Sequence, residues 1–279
     1  MEEEKIILIG AGNVAHHLAA ALLKAGMGLC QIYSKHLESA RALGMKTGIP
    51  YTADANEVYP DGDIYIFCVN DDALSVVLKS IRLNQDALLL HTSGSQPMEL
   101  LNPYAMRYGV FYPVQTFSKR RSLDFNEIPI CVEGNTRAMT EKICALAKKL
   151  SDKVYVVDSA QRRVLHLAAV FACNFPNFLY GIAGDILAES GLPFSILRPL
   201  IFETAHKVMS LAPEEAQTGP ACRGDESILN AHKALLKNNK ELLKLYTQLS
   251  ELIKTKYLKE NPKQINVNSN EAEEMPTLW

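Results

Sequence analysis

Lys5-Ile6-Ile7-Leu8-Ile9-Gly10-Ala11-Gly12-Asn13-Val14-Ala15 is the stretch that decides the fold. A short apolar run ends in Gly-x-Gly-x-x-Ala, and a helical pattern begins at once. That order is the phosphate-binding turn of a dinucleotide fold. Gly10 permits the tight turn, and Gly12 has no side chain to hold the backbone away from a pyrophosphate. Ala15 lets the helix pack close to the strand, and the helix N-terminus, with Asn13 and Val14, faces the phosphates.

Outward from this turn, strands are expected at 5–10, 28–33, 48–52, 63–69, 86–91, 109–113, 128–133 and 153–157. Their near-continuous apolar runs suit a parallel sheet covered on both faces, and helical segments at 13–26 and 37–44 give βαβ alternation. After Asp158 no strand pattern follows, and 160–189, 194–211, 226–237 and 240–257 read as helix. The last is amphipathic, with Leu242, Leu245, Leu249 and Leu252 at helical spacing. The expected architecture is α/β: an N-terminal Rossmann dinucleotide-binding domain over residues 1–158, then an all-α domain over 159–258 and a polar tail over 259–279.

The 279 residues are 48% hydrophobic and 22% charged, a globular balance, and the net charge of −2 gives no basic excess for nucleic acid or an anionic membrane. The six cysteines, Cys30, Cys68, Cys131, Cys144, Cys173 and Cys222, form no C-x-x-C pair and read as buried free thiols in a reducing compartment. No metal site is expected. The Met-Glu-Glu-Glu-Lys start lacks signal-peptide character, and Asn174, Pro176 and Asn177 interrupt the uncharged stretch from Leu167 to Gly184. A cytoplasmic protein that does not enter membranes is expected.

The end of the second strand selects the cofactor. No Asp or Glu stands between Glu4 and Glu38 to bind ribose hydroxyls, and Ser34-Lys35-His36 offers a hydroxyl and a cation instead. This favours NADP(H) over NAD(H), FAD or S-adenosylmethionine, because a 2′-phosphate is matched by a cation. Val69-Asn70 and Thr92 follow later strands at the expected cofactor edge. Ser93 and Gln115, in 91–95 and 112–118, are candidate substrate contacts. At 100° per residue, His166, Asn174 and Asn177 fall within an arc of about 80° on one helix, and Pro176 is expected to kink it. Arg223, in Gly219-Pro220-Ala221-Cys222-Arg223-Gly224-Asp225, can clamp a carboxylate or phosphate, or pair with Asp225.

The glycine turn, with His91-Thr92-Ser93-Gly94-Ser95, Pro113-Val114-Gln115-Thr116-Phe117-Ser118, the run from His166 to Asn174, and the run from Gly219 to Asp225, resembles the Rossmann-like proteins carrying a DUF2520 domain. They belong to the 6-phosphogluconate dehydrogenase-like group, with pyrroline-5-carboxylate reductase, ketopantoate reductase, β-hydroxyacid dehydrogenases and F420-dependent NADP oxidoreductase. The resemblance implies a kinked helix lining the active site and a homodimer through the helical domain. β-Hydroxyacid dehydrogenases carry a lysine four residues before an asparagine on this helix. Asn174 matches the asparagine, whereas Val170 stands at the lysine position. His166, one turn earlier, takes the proton-donor role in this reading, and Tyr112 stands where the narrower family often has histidine.

The function expected is an NADP(H)-dependent oxidoreductase. It would transfer a hydride between nicotinamide and a small carbonyl, alcohol or imine substrate bearing an acidic group. His166 and Asn174 would be catalytic, and Ser93, Gln115, Asn177 and Arg223 would bind substrate. The alternative is a non-catalytic NADP(H)-binding sensor or regulatory protein.

Overall fold

The computed structural model describes residues 4–258, and the polar tail expected at 259–279 lies outside the described residues. The chain divides into two units, one through Gly181 and one from Ile182. Most of the long helix after Asp158 therefore belongs to the first.

The first unit holds one eight-stranded sheet. In chain order its strands are β1 (Ile6–Ile9), β2 (Leu29–Tyr33), β3 (Tyr51–Thr52), β4 (Ile64–Phe67), β5 (Leu88–His91), β6 (Arg107–Pro113), β7 (Ile130–Gly134) and β8 (Val154–Val156). Their spatial order is β3-β2-β1-β4-β5-β6-β7-β8. Helices α1 (Asn13–Lys24), α2 (Leu37–Thr47), α3 (Asp71–Ser80) and α4 (Arg137–Lys148) connect strands.

The uninterrupted Ile6-Ile7-Leu8-Ile9 run makes sense in this frame. Successive strand side chains point to opposite faces. Ile6 and Leu8 enter a core with Leu18 and Leu22 of α1 and Ile143 of α4, while Ile7 and Ile9 enter a second core with Leu74 and Leu78 of α3. Every β1 position is thus buried, as a central strand with helices on both faces requires.

Strands β1 to β6 pair in parallel. The sheet then departs from a uniform parallel arrangement: β7 runs antiparallel to β6, with Tyr112 opposite Cys131, and β8 is parallel to β7. The β6–β7 connection holds only a one-turn 3₁₀ helix at Phe125–Glu127. A parallel neighbour needs a crossover of a dozen or more residues, usually a helix, and α4 supplies one between β7 and β8.

Asp158 opens the long helix with a capping box, accepting from the Gln161 backbone N–H while the Gln161 side chain accepts from the Asp158 N–H. The helix comprises α5 (Ser159–Ala169), a π-helical turn (Val170–Asn174) and α6 (Phe175–Glu189). The Phe175 N–H donates to Val170 O, five residues back, immediately before Pro176. The backbone thus meets the proline with a widened turn. Among the described residues, the 31-residue span Ser159–Glu189 is the one helix long and apolar enough to cross a membrane.

The second unit is helical: the end of α6, then α7 (Arg198–Lys207), two short helices α8 (Pro213–Ala216) and α9 (Pro220–Arg223), α10 (Glu226–Leu235) and α11 (Lys240–Tyr257). The expected helix at 194–211 is shorter than its pattern. Residues Phe194–Leu197 form a 3₁₀ turn, and Pro199 begins α7 where a missing N–H costs nothing. The Asn239 side chain caps α11, which packs on α9.

Candidate active site

Strand order reverses direction about β1, which has β2 on one side and β4 on the other. Ligands of open α/β sheets bind outside the carboxyl ends of strands at such a point. A groove of about 260 Å³ lies there, lined by Gly10, Gly12, Ser34-Lys35-His36, Val69 and Asn70, with Lys119 at its side. Asn13 and Val14 form the first turn of α1, where Val14 packs on the core instead. Thr92 is buried, and its hydroxyl donates to Phe67 O at 3.2 Å.

The groove has the form a dinucleotide requires. Gly10 sits at φ +113°, and a Cβ there would stand 2.4 Å from Cys68 O. A Cβ on Gly12 would meet nothing nearer than Cys68 O at 3.9 Å, so that face is open. No side chain caps the N-terminus of α1, and no acidic residue occupies its first turn. The free N–H groups and the positive end of the helix dipole favour a phosphate. The buried Ser34 hydroxyl accepts from the His36 N–H at 3.4 Å, and the Lys35 and His36 side chains are exposed. Lys119 Nζ donates to Ala11 O at 2.9 Å, which ties the loop after β6 to the glycine turn.

A second polar group stands at the carboxyl ends of β5 and β6. Tyr112 Oη and His166 Nδ1 are 3.2 Å apart and share a hydrogen bond. Their rings meet edge-on, 6.1 Å between centroids. A Cβ on Gly94 would stand 2.7 Å from His166 Nδ1 and 2.8 Å from Tyr112 Cζ, so only glycine lets the β5 loop close on this pair. Burial pushes the Tyr112 phenol above its ordinary pKa and keeps it protonated. Ser93 Oγ accepts the Ser95 and Gln96 N–H groups at 3.1 and 3.0 Å, which leaves its own proton free to donate. The Ser95 hydroxyl donates to Asp71.

One helical turn before His166, Arg162 is 0% exposed and paired with Glu133 of β7. Its Nη2 also donates to Gln96 O at 2.6 Å and to Ser159 Oγ at 3.1 Å. Ser159 donates to both Glu133 oxygens, from N at 2.8 Å and from Oγ at 2.7 Å. This network locks the start of α5 to the sheet and to the β5 loop, and so fixes where His166 stands.

Among the described residues, Gln115, Asn174 and Asn177 make no hydrogen bond to Tyr112 or His166. Gln115 is exposed, and its Oε1 accepts the Thr116 N–H at 2.8 Å. Asn174 and Asn177 are exposed. The π-turn between them and His166 breaks the uniform 100° step by which all three share one face. Arg223, in the second unit, makes the Asp225 pair through Nε at 2.9 Å and Nη2 at 2.7 Å. All six cysteines are free, but only Cys68 and Cys131 are buried as expected; Cys30, Cys144 and Cys222 are half-buried and Cys173 is exposed.

Tyr112, Arg162 and Lys119 make these contacts, and the sequence reading gave none of them a role. Lys119 had a signal, since Lys119-Arg120-Arg121 is a cationic run directly after a motif at a strand end. Tyr112 ends a strand where site residues gather. Arg162 had none, because an arginine in a polar helical turn normally faces water.

A Rossmann sheet with an open phosphate turn, followed by a helical unit, has the frame of a dinucleotide-binding protein. Residues 5–93 match the family described as NADP oxidoreductase coenzyme F420-dependent, and residues 128–253 match the domain of unknown function DUF2520. A putative NADP oxidoreductase from Bacteroides fragilis is 44% identical, with a TM-score of 0.87, over 91% of this chain and 99% of that one. The chain belongs to this DUF2520-containing family of NADP oxidoreductases. A Thermotoga maritima protein shares the fold at 23% identity and a TM-score of 0.70, over 92% of this chain and 99% of that one. An imine reductase from Myxococcus stipitatus, solved with NADP+, shares it at 16% identity and a TM-score of 0.64, over 91% and 95%. No curated protein matches the sequence.

Proposed function

We propose that the protein is an NADP(H)-dependent oxidoreductase acting on a small carbonyl, alcohol or imine compound that bears an acidic group. The observation that carries this reading is the Tyr112–His166 hydrogen bond, two strands away from the dinucleotide groove. A protein that only held the cofactor would have no use for a second, sterically closed polar pair there. Gly10, Gly12 and the N-terminus of α1 hold the pyrophosphate, and Ser34, Lys35 and His36 take the 2′-phosphate. Asn13, Val69 and Asn70 border the same ligand.

Bound NADPH supplies the hydride. In the protonated imidazole, Nδ1–H donates to Tyr112 Oη, which fixes the ring, and Nε2 carries the second proton. His166 gives that Nε2 proton to the oxygen or nitrogen beside the carbon that is reduced and ends as neutral imidazole. Asn174 holds the same substrate group, and Ser93, Gln115 and Asn177 border it. Arg223, which pairs with Asp225, is the guanidinium suited to an acidic group.

NADPH oxidation against a panel of small keto acids and cyclic imino acids tests the reading. Turnover with one class of compound is expected, and His166→Ala should lower kcat by about 10²–10⁴, the usual worth of a positioned acid. Tyr112→Phe should lower kcat less and leave the KM for NADPH unchanged. Full turnover by His166→Ala removes the proton-donor assignment. A sensor would bind NADPH and leave it unoxidised with every compound.

The reading includes a cytoplasmic homodimer. Val164, Leu167, Phe171, Phe175 and Phe178 form a helical stripe with exposures between 47% and 68%. A contiguous apolar face of this kind marks an interface. Arg162 in its ion pair, with Asn174, Asn177 and Asp185 along the same helix, suits a protein partner better than hydrocarbon. Light scattering should read twice the chain mass, and Phe171→Asp/Phe178→Asp should halve it; a wild-type monomer at micromolar concentration contradicts the dimer.

A further inference from the structure

A larger concavity, of about 820 Å³, runs along the outer side of α1, away from the Tyr112–His166 pair. Its walls carry Lys24, Lys46, Lys119, Arg120, Arg121 and Lys149 against a single carboxylate, that of Asp124. Asp124 is already engaged, capping the short 3₁₀ turn at Phe125 by accepting the Asn126 N–H at 3.2 Å. Among the described residues, none of the six cations forms an ion pair. Only Lys119 has a hydrogen-bond partner for its side chain, Ala11 O.

Exposed lysines normally lie apart or beside carboxylates, because like charges brought together repel. In a chain of net charge −2, six unpaired cations around one hollow are a local excess that needs a counter-charge. The floor is apolar, formed by the buried Phe125 and Leu150. His16 lines the same hollow, and both of its ring nitrogens are buried without a hydrogen-bond partner. Burial, then the charges of Lys119 and Lys46, lower its pKa to about 4, so the imidazole sits neutral in a positive field with hydrogen-bonding capacity unused.

We propose that this groove is a second ligand site, for a small, multiply charged phosphate compound, distinct from the dinucleotide groove. The concave form and the volume, within the roughly 300–1,000 Å³ range of small-molecule pockets, favour a compact polyanion. Lys119 belongs to both grooves, so an anion here competes for the cation that steadies the glycine turn. Occupancy of the second site is therefore coupled to cofactor affinity.

Inorganic tripolyphosphate is the probe, titrated calorimetrically into wild type, Arg120→Glu/Arg121→Glu and Lys35→Asp, with thermal melting to show that each variant folds. Saturable binding to wild type and Lys35→Asp alike is expected. The double variant should weaken it about tenfold or more, and raised salt should weaken it in all three proteins. If the double variant does not fold, Lys24→Ala/Lys149→Ala replaces it, with the same weakening expected. Absence of saturable binding, equal affinity in the groove variants, or loss of binding in Lys35→Asp overturns the proposal. The last result would place the probe in the dinucleotide groove. Because Lys35 belongs only to that groove, failure of the NADP(H) reading leaves this test intact.

Discussion

Arg162→Ala should destabilise the sheet-bearing unit by about 3–5 kcal/mol, the cost of breaking a buried ion pair from one side. The guanidinium is wholly buried and bound to Glu133, Gln96 O and Ser159 Oγ. Its removal leaves the Glu133 carboxylate, only 12% exposed, without its cation, and a backbone carbonyl without its donor. At roughly 2–4 °C per kcal/mol for a unit of this size, the melting midpoint should fall by about 6–20 °C. Arg162→Met/Glu133→Leu should cost much less than Arg162→Ala alone, since it leaves no unpaired charge. A fall of a degree or two for Arg162→Ala would show that the pair is solvated. kcat should fall as well, because the same network sets the position of His166.

Gly10→Ala and Gly12→Ala should part company. At Gly10, an added methyl group meets the Cys68 carbonyl at 2.4 Å, and the φ of +113° is strained for any L side chain. The β4 end would have to move, and Cys68 and Val69 there line the dinucleotide groove. Gly10→Ala should therefore lower both the melting midpoint and NADPH affinity, the latter by about a hundredfold or more, or about 2.7 kcal/mol. At Gly12 the backbone is ordinary, with φ −79°, and the new methyl group meets open space. Gly12→Ala should melt like wild type yet bind NADPH poorly, because the methyl group takes room that belongs to the pyrophosphate. Equal binding by Gly12→Ala and wild type would mean that the turn does not hold the cofactor.

What the sequence made legible, and what it hid, follows from contact distance. β1, the glycine turn and α1 are local: a run of four apolar residues, two glycines and a helical stripe write themselves into consecutive positions. Strand direction is not local. The Ile130–Gly134 run reads the same either way, and only the lack of a helix between β6 and β7 reveals its reversal. The π-turn at Val170–Asn174 escaped because even-step helical arithmetic assumes the α-helix it is used to describe. Tyr112 and His166 are 54 residues apart, Glu133 and Arg162 are 29 apart, and Lys119 reaches back 108 residues to Ala11. Each partner looks unremarkable alone, and its role comes from the pairing that folding imposes.

The central claim, that the groove over Gly10 and Gly12 holds NADP(H) with Ser34, Lys35 and His36 on the 2′-phosphate, is tested most directly by calorimetric titration of NADPH and NADH. Wild type and Lys35→Asp are compared. Wild type should prefer NADPH, and Lys35→Asp should lose about tenfold or more in NADPH affinity, or about 1.4 kcal/mol, with NADH little changed. Failure of both nucleotides to bind wild type, or equal NADPH affinity in wild type and variant, would contradict it.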